Sequence, residues 1–407
     1  MSTVSLRNEK KNARFCVLLF FLLSRNTISF HFIYNIENID NLFSVISAAT
    51  ALVVAFYYFV VRFSNLNDNM LIGVCLFEGS LFISTIINEG NLQVFFVQLY
   101  PIIGMYCLAQ MVFSCKIRKK FFFSILSKLM LLLLIINFIF VMVDPLYFGM
   151  GKFFLGFENQ ISFSLILGLM VVWIDKEYSG SNRCFIMYLV IYTISCVKIW
   201  SASGIVGCLI VLACCVVPHF KNFLVKMHFR HIQIFIVVIS SLLLLYVFAY
   251  HSSASNIFSW FIESFLGKDM SFTGRTYIWQ KVFNQFLQKP ILGYGMLDDS
   301  NIFDISVKIG AQEWITGKFS AHNVFFQLLY NGGILSLFLL LRCGAKIIPA
   351  PNTNVVVFDI YKIIVITISV MMMSEAVSVT ILFIPLFWAF AESKYSKNYA
   401  MEEVYDT

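Results

Sequence analysis

Residues 121–143 read FFFSILSKLMLLLLIINFIFVMV, an apolar run broken only by Ser124, Ser127, Lys128 and Asn137. An α-helix rises about 1.5 Å per residue, so about 20 such residues cross the ~30 Å hydrocarbon core of a bilayer. Runs of the same kind recur along the chain. Of 407 residues, 59% are hydrophobic and 13% charged, where soluble domains hold about 45–50% apolar and roughly 25% charged residues. The mean hydropathy is +0.83. These values specify a polytopic membrane protein and exclude a soluble domain. The 45 Phe fit either a lipid-facing aromatic exterior or a simple preference for Phe among apolar residues.

Windows of about 19 residues place twelve spans near 15–33, 42–62, 70–88, 92–113, 121–143, 154–174, 184–199, 204–217, 233–250, 323–342, 355–373 and 378–392. The start, MSTVSLRNEKKNARFCVLLFFLLS, has a basic segment and a short apolar one but no small-x-small cleavage site. It reads as an uncleaved first helix. With the N-terminus inside, the inner segments hold Arg7, Lys10, Lys11, Arg14, Arg62, Lys116, Arg118, Lys119, Lys120, Lys176, Arg183, Lys221, Lys226, Arg230, Arg342, Lys346, Lys394 and Lys397. The short outer loops hold only Lys152 and Lys198. Short-loop Lys and Arg mark the cytoplasmic side, so both termini are expected in the cytoplasm.

The chain divides into an N-terminal membrane bundle (1–250), one long outward loop (251–321) and a C-terminal part of three spans with a tail (322–407). The expected fold class is all-α. All ten Cys fall in spans or on the inner side, with no disulfide framework and no CxxC metal pattern. The basic CKIRKK (115–120) is an orientation signal and a headgroup contact; no nucleic-acid partner is expected.

The long loop carries SFTGRTYIWQKVFNQFLQKPILGYG (271–295). Ile278, Val282, Phe283, Phe286 and Leu287 recur at helical spacing, Ser271 or Thr273 can cap the start, and Pro290 and Gly293 close the end. The expected helix, Thr273 to Gln288, lies on the outer membrane surface or packs across the mouths of the spans. Arg275 falls in its first turn, where the helix dipole is already positive. Read blandly, it pairs with Asp269 or a headgroup; read functionally, it joins free N–H groups in a phosphate site. His322 and Asn323 stand where the loop meets the next span. His322 is either an interfacial capping residue or a titratable group able to take a hydroxyl proton or hold a phosphate.

Taken together, Thr273-Gly274-Arg275 with Trp279, Pro290 with Gly293 and Gly295, His322-Asn323, and Asn331-Gly332-Gly333 resemble the O-antigen polymerase and O-antigen ligase superfamily. The resemblance covers about sixty contiguous residues with spans on both sides and implies a GT-C-like multi-span glycosyltransferase. It implies transfer of a glycan from undecaprenyl diphosphate, at the periplasmic face, to another lipid-linked repeat (polymerase) or to the lipid A core (ligase). The stretches SFTGRTYIWQ and KPILGYG look more like polymerases of O-antigen, capsule or exopolysaccharide. The implied partners are the lipid-linked oligosaccharide, membrane lipid and a chain-length regulator protein. Neither a metal nor another cofactor is implied. By the resemblance, Arg275 holds the diphosphate, and His322 assists the acceptor hydroxyl or holds the second phosphate; Thr273, Gly274, Trp279 and Asn323 line the substrate.

The chain departs from the family at KIWSASG (198–204), where Ala202 stands at the expected place of a further outward Arg. Lys198 either supplies that charge or snorkels to the interface. Glu158, at the outer end of the sixth span, is a further candidate base in the substrate cavity. Arg25 and Glu78 lie within spans, where a charge is costly unless paired, and could pair with each other. Asp298, Asp299 and Asp304 read as a solvated loop. A lipid-sugar transporter is the rival class, but such proteins are commonly built from repeated halves, and 1–203 and 204–407 show no similarity.

Overall fold

The computed structural model describes residues 3–24, 37–62, 68–143, 152–157, 160–199, 201–229, parts of 231–242, 275–297, 303–309, 313–345, 347–350, 353–375 and 377–405. The helices of the first half are α1 (Thr3–Leu23), α2 (Glu37–Tyr57, continued by a π-turn over Tyr58–Arg62), α3 (Asn69–Ile87), α4 (Leu92–Phe113) and α5 (Lys116–Val143). After a small hairpin, β1 (Lys152–Phe153) with β2 (Gly156–Phe157), come α6 (Ile161–Ser179), α7 (Arg183–Ile199), α8 (Ala202–Val216) and α9 (Pro218–Lys226). The remainder comprises α10 (Arg275–Gln288), β3 (Phe303–Ile309), β4 (Glu313–Phe319), α11 (Val324–Ala345), α12 (Val355–Met372) and α13 (Thr380–Tyr405).

The protein is multi-pass and predominantly helical. Among the described residues, six helices are long and apolar enough to cross a membrane: Leu42–Val61, Asn69–Ile87, Leu92–Phe113, Lys116–Val143, Val324–Gly344 and Val355–Met372. The pair α8–α9, bent by 107°, makes a seventh if counted as one span. Pro218 opens α9, because Pro cannot continue the preceding helix but suits a first turn.

Local chemistry sets several starts. The Asp68 carboxylate accepts from Met70 and Leu71 N–H, both at 3.1 Å, to open α3. The Asn91 side chain does the same for α4, at 2.7 and 3.2 Å. Each cap satisfies N–H groups that have no partner inside the helix. Gly180, at φ 71°, ends α6 in the left-handed conformation that glycine tolerates.

Helix α6 is central: Ile161 through Asp175 are all buried, walled by α5, α7 and α12. Trp388 of α13 fills the middle of the bundle against Phe123 (5.1 Å, 84°) and Phe122 (6.0 Å, 79°), edge-to-face pairs worth about 0.5–1.5 kcal/mol each. Close approach also needs small residues. A Cβ at Gly168 would sit 2.1 Å from the Tyr188 hydroxyl.

Several expectations are corrected. The first helix begins at Thr3, well before the expected 15, since Asn and Lys residues do not deter a helix outside the bilayer; residues 25–33 of that expected span lie outside the described residues. The sixth begins at Ile161, not 154, because β1 and β2 occupy 152–157, paired Lys152 to Phe157 and Phe153 to Gly156. The last runs on to Tyr405. A second hairpin, β3–β4, joins the helices, with Asp304 opposite Lys318 in register. The ninth expected span (233–250) lies mostly, and Arg25 wholly, outside the described residues. Glu78 is buried, and its carboxylate has no hydrogen-bond partner among the described residues.

Helix ends gather at two faces of the bundle. One holds Lys119 with Glu392, Arg118 with Glu9, and Lys394 with Asp68. The other gathers the end of α3, the start of α11, the end of α12 and α10, through Asn88–Gly293, Asn323–Met373 and Arg275–Ser374 hydrogen bonds.

Candidate functional site

Helix α10 packs on α11. Ile278, Trp279 and Val282, at helical spacing, turn inward and are buried with Ala321, Phe326 and Tyr330. The Trp279 indole N–H donates to the Ala321 carbonyl at 2.8 Å, and its ring meets Phe326 edge-on at 5.6 Å. Trp279 therefore fixes the chain one residue before His322, a structural task besides any contact with substrate.

Among the described residues, two N–H groups of the Arg275 guanidinium have partners. Nη1 donates to the Ser374 carbonyl at 2.6 Å, and Nη2 to Glu375 Oε1 at 3.1 Å. A guanidinium has five such donors, and the side chain stays 22% exposed against 8% for Glu375. Arg275 thus keeps donors for an arriving anion while its position is already set. Among the described residues its acidic partner is Glu375; Asp269 lies outside them.

His322 takes φ 45°, a left-handed conformation that is uncommon for a non-glycine residue. Burial, and then the Arg275 charge, push its imidazole down to about 4. Without an anion beside it, the imidazole is then uncharged at neutral pH, and in that form it can donate or accept a hydrogen bond. Asn323 opens α11: its Oδ1 accepts from Phe325 and Phe326 N–H at 2.9 and 3.1 Å, while its Nδ2 donates to Met373 O at 2.9 Å. One side chain therefore caps a helix and ties His322 to the connection that carries Glu375.

The glycine motifs form a clasp beside this cluster. Helix α11 breaks at Gly333 (φ 63°, ψ −168°). Ile334 and Leu335 N–H then donate to Pro290 and Ile291 carbonyls (2.9 and 3.3 Å), and Tyr330 and Asn331 carbonyls accept from Tyr294 and Gly295 N–H (both 2.8 Å). The loop replaces the helical bonds that the break removes. A Cβ at Gly293 would lie 2.3 Å from Tyr330 O, and one at Gly333 2.2 Å from Ile291 O. The Ser84 hydroxyl donates to the Leu292 and Asn331 carbonyls, which ties α3 to the clasp. Tyr294 stacks on Tyr330 at 4.8 Å. Pro290-x-x-Gly293-x-Gly295 and Asn331-Gly332-Gly333 are thus two halves of one backbone joint.

The structure brings together Arg275, Trp279, His322 and Asn323. Thr273, Gly274 and Glu158 lie outside the described residues, as do Ser271, Asp298 and Asp299. Lys198 is exposed in the last turn of α7, and no described hydrogen bond or ion pair joins it to the cluster. Sequence reading missed Ser374 and Glu375. The available signal was an acid in the short connection between α12 and α13, at the same end of the bundle as Arg275. Among the described residues no group of three or more His, Cys, Asp or Glu could hold a metal ion.

A guanidinium with donors in reserve, a carboxylate and a neutral imidazole can bind an anionic group and move a proton beside it. Residues 187–341 match the family described as O-antigen ligase. The match runs from α7 through most of α11; it takes in Arg275, Trp279, His322 and Asn323 and stops short of Glu375. The resemblance to the O-antigen polymerase and ligase superfamily therefore holds over that segment. No curated protein and no solved structure matches the chain.

Proposed function

We propose that this chain, with its O-antigen-ligase-type segment, is a polysaccharide polymerase of the bacterial inner membrane. It passes a growing glycan from undecaprenyl diphosphate to a sugar hydroxyl of another lipid-linked repeat. The observation that carries the reading is the meeting, at one end of the bundle, of Arg275 with reserve donors and His322.

In this reading Arg275 neutralises the leaving diphosphate by charge-assisted hydrogen bonds, and the clasp and Asn323 hold the pocket rigid. His322, being uncharged, orients the acceptor by hydrogen bonding. Thr273 and Gly274 lead into α10 beside the phosphates, Lys198 adds positive charge near the donor, and Glu158 lines the acceptor side. Neither a metal nor another cofactor takes part. Twelve spans with both termini in the cytoplasm put the cluster on the periplasmic side. The Lys and Arg asymmetry supports that orientation. A chain-length regulator protein is the expected partner.

A ligase, passing the glycan to the lipid A core, is the second reading, favoured by the description of the matched family. One assay separates the two. At unchanged protein level, Arg275→Ala in a polymerase leaves single repeats on the lipid core and removes long chains. In a ligase it removes all glycan from the core and lets lipid-linked polymer accumulate. Normal chain ladders from the variant would refute both readings.

A further inference from the structure

We propose that a second copy of this chain packs against the groove between α3 and α4 and places its Lys128 on Glu78. This association is separate from the transferase reading above and does not depend on it.

The groove holds about 340 Å³, and Val74, Cys75, Glu78, Gly79, Phe82 and Phe96 are among its walls. Cys75 and Phe96 are exposed, so it opens on the outside of two spans. A Cβ at Gly79 would meet nothing within 4 Å, which leaves room for another helix to approach closely, as small residues allow in membranes. Glu78 is 3% exposed, and neither of its carboxyl oxygens has a hydrogen-bond partner among the described residues. An acid inside a span is costly unless a partner satisfies it.

Depth decides the kind of partner. Helix α3 has 19 residues from Asn69, so Glu78 is at its midpoint, about 14 Å from either end at 1.5 Å per residue. Lipids carry their polar groups at the interface, and an acyl or prenyl tail in the groove would leave the carboxyl unsatisfied. A transmembrane helix can bring a polar side chain to that depth.

This chain carries such a side chain on its own exterior. Lys128 lies within the span Lys116–Val143 and is exposed, and no described hydrogen bond or ion pair engages it. It stands about 12 Å deeper than the exposed Lys120, and the lysine stem recovers only part of that depth by reaching back to the interface.

Lys128 and Glu78 are also level with each other. Lys119 pairs with Glu392 and Asp68 with Lys394. Those two partners are near neighbours on α13, so Lys119 and Asp68 mark one depth. Helices α3 and α5 both start at that face, and Glu78 and Lys128 lie about 15 and 14 Å beyond it. Copies related by rotation about the membrane normal keep every depth, so Lys128 of one copy meets Glu78 of the next. Lys128 of the same chain is not among the residues lining the groove. Two costly charges thereby become one satisfied pair between copies.

The experiment reads self-association of the full-length chain in liposomes, by energy transfer between C-terminally labelled copies. Wild type is compared with Glu78→Lys, Lys128→Glu and an equimolar mixture of the two variants. Wild type should associate, and each variant alone should do so ~10-fold or more weakly, because like charges then meet. The mixture should regain association, since each variant supplies the charge that the other lacks. Melting temperatures establish that both variants fold. If Glu78→Lys does not, Lys128→Ala, at an exposed position, carries the test and should also associate more weakly. A wild type that stays monomeric at every protein-to-lipid ratio would overturn the proposal, including one that associates only with a different membrane protein. So would wild-type association by Lys128→Ala, or a mixture of folded variants that associates no better than its components.

Discussion

The two faces of the bundle each hold a buried ion pair, and the pairs are built differently. Lys119 reaches both oxygens of Glu392, at 2.8 and 2.9 Å, with side chains 6% and 2% exposed. Its ammonium also stands over the Phe113 and Tyr178 rings, at 5.6 and 5.4 Å. Arg275 gives Glu375 one N–H and spends another on a backbone carbonyl, and it remains 22% exposed. A saturated pair sealed by aromatic rings can only hold helices together. A pair with donors in reserve beside a strained histidine can exchange partners. Density of satisfaction, more than the presence of charge, separates the structural face from the candidate site.

The difference can be broken in order of expected effect. Lys119→Ala leaves Glu392 buried and uncompensated, a loss of about 3–5 kcal/mol. Thermal unfolding in detergent should show it, and an unchanged melting temperature would mean that the pair is not structural. Gly293→Ala forces a Cβ to within 2.3 Å of Tyr330 O at φ 67°. Such strain is about 1–3 kcal/mol before the clash is counted, so lower stability and lower turnover are both expected. Asn323→Ala removes the α11 cap, about 1 kcal/mol. Turnover should fall further than stability if the Met373 tie positions the site, and equal falls would reduce Asn323 to a cap.

The smallest effect is one of pH. The folded His322 binds its proton only near 4, against 6.5 for the free group. Between those values the unfolded chain holds a proton that the folded chain lacks, so stability declines as pH falls through that window and His322 contributes no slope above it. Comparing melting temperatures of wild type and His322→Gln across pH 4–7 isolates that slope; identical profiles would remove it.

How much of this was legible follows from where each signal is stored. The α4 and α7 runs were readable nearly to the residue, because apolar length and flanking polar residues such as Asn91 are local. The α10 helix followed from the spacing of Ile278 and Val282, but its inward face did so only in part: Leu287 of the expected face is exposed, and Trp279 is buried. The first and sixth helix starts were not legible, since hydropathy marks the bilayer and α1 continues beyond it. Glu375 and the glycine clasp were hidden for another reason. Arg275 meets a residue a hundred positions away, and Gly293 meets Tyr330 only because α11 breaks at Gly333. Such long-range pairings leave no periodic trace in the chain. The ordered motifs did point to the matched segment, and the closing of α10 by Pro290 and Gly293 was readable, but their clasp with the break at Gly333 was not.

The central claim is that the Arg275 face is chemical and the Lys119 face structural. The direct measurement is a crossed pair, Arg275→Gln and Lys119→Gln, each purified and assayed for melting temperature and for transfer from lipid-linked repeat without an ion gradient. The account predicts that Arg275→Gln loses transfer by ~100-fold or more with a smaller fall in melting temperature than Lys119→Gln. It predicts that Lys119→Gln melts well below wild type yet transfers normally at temperatures where it is folded. Normal transfer by Arg275→Gln, or equal loss of stability in both variants, would contradict it.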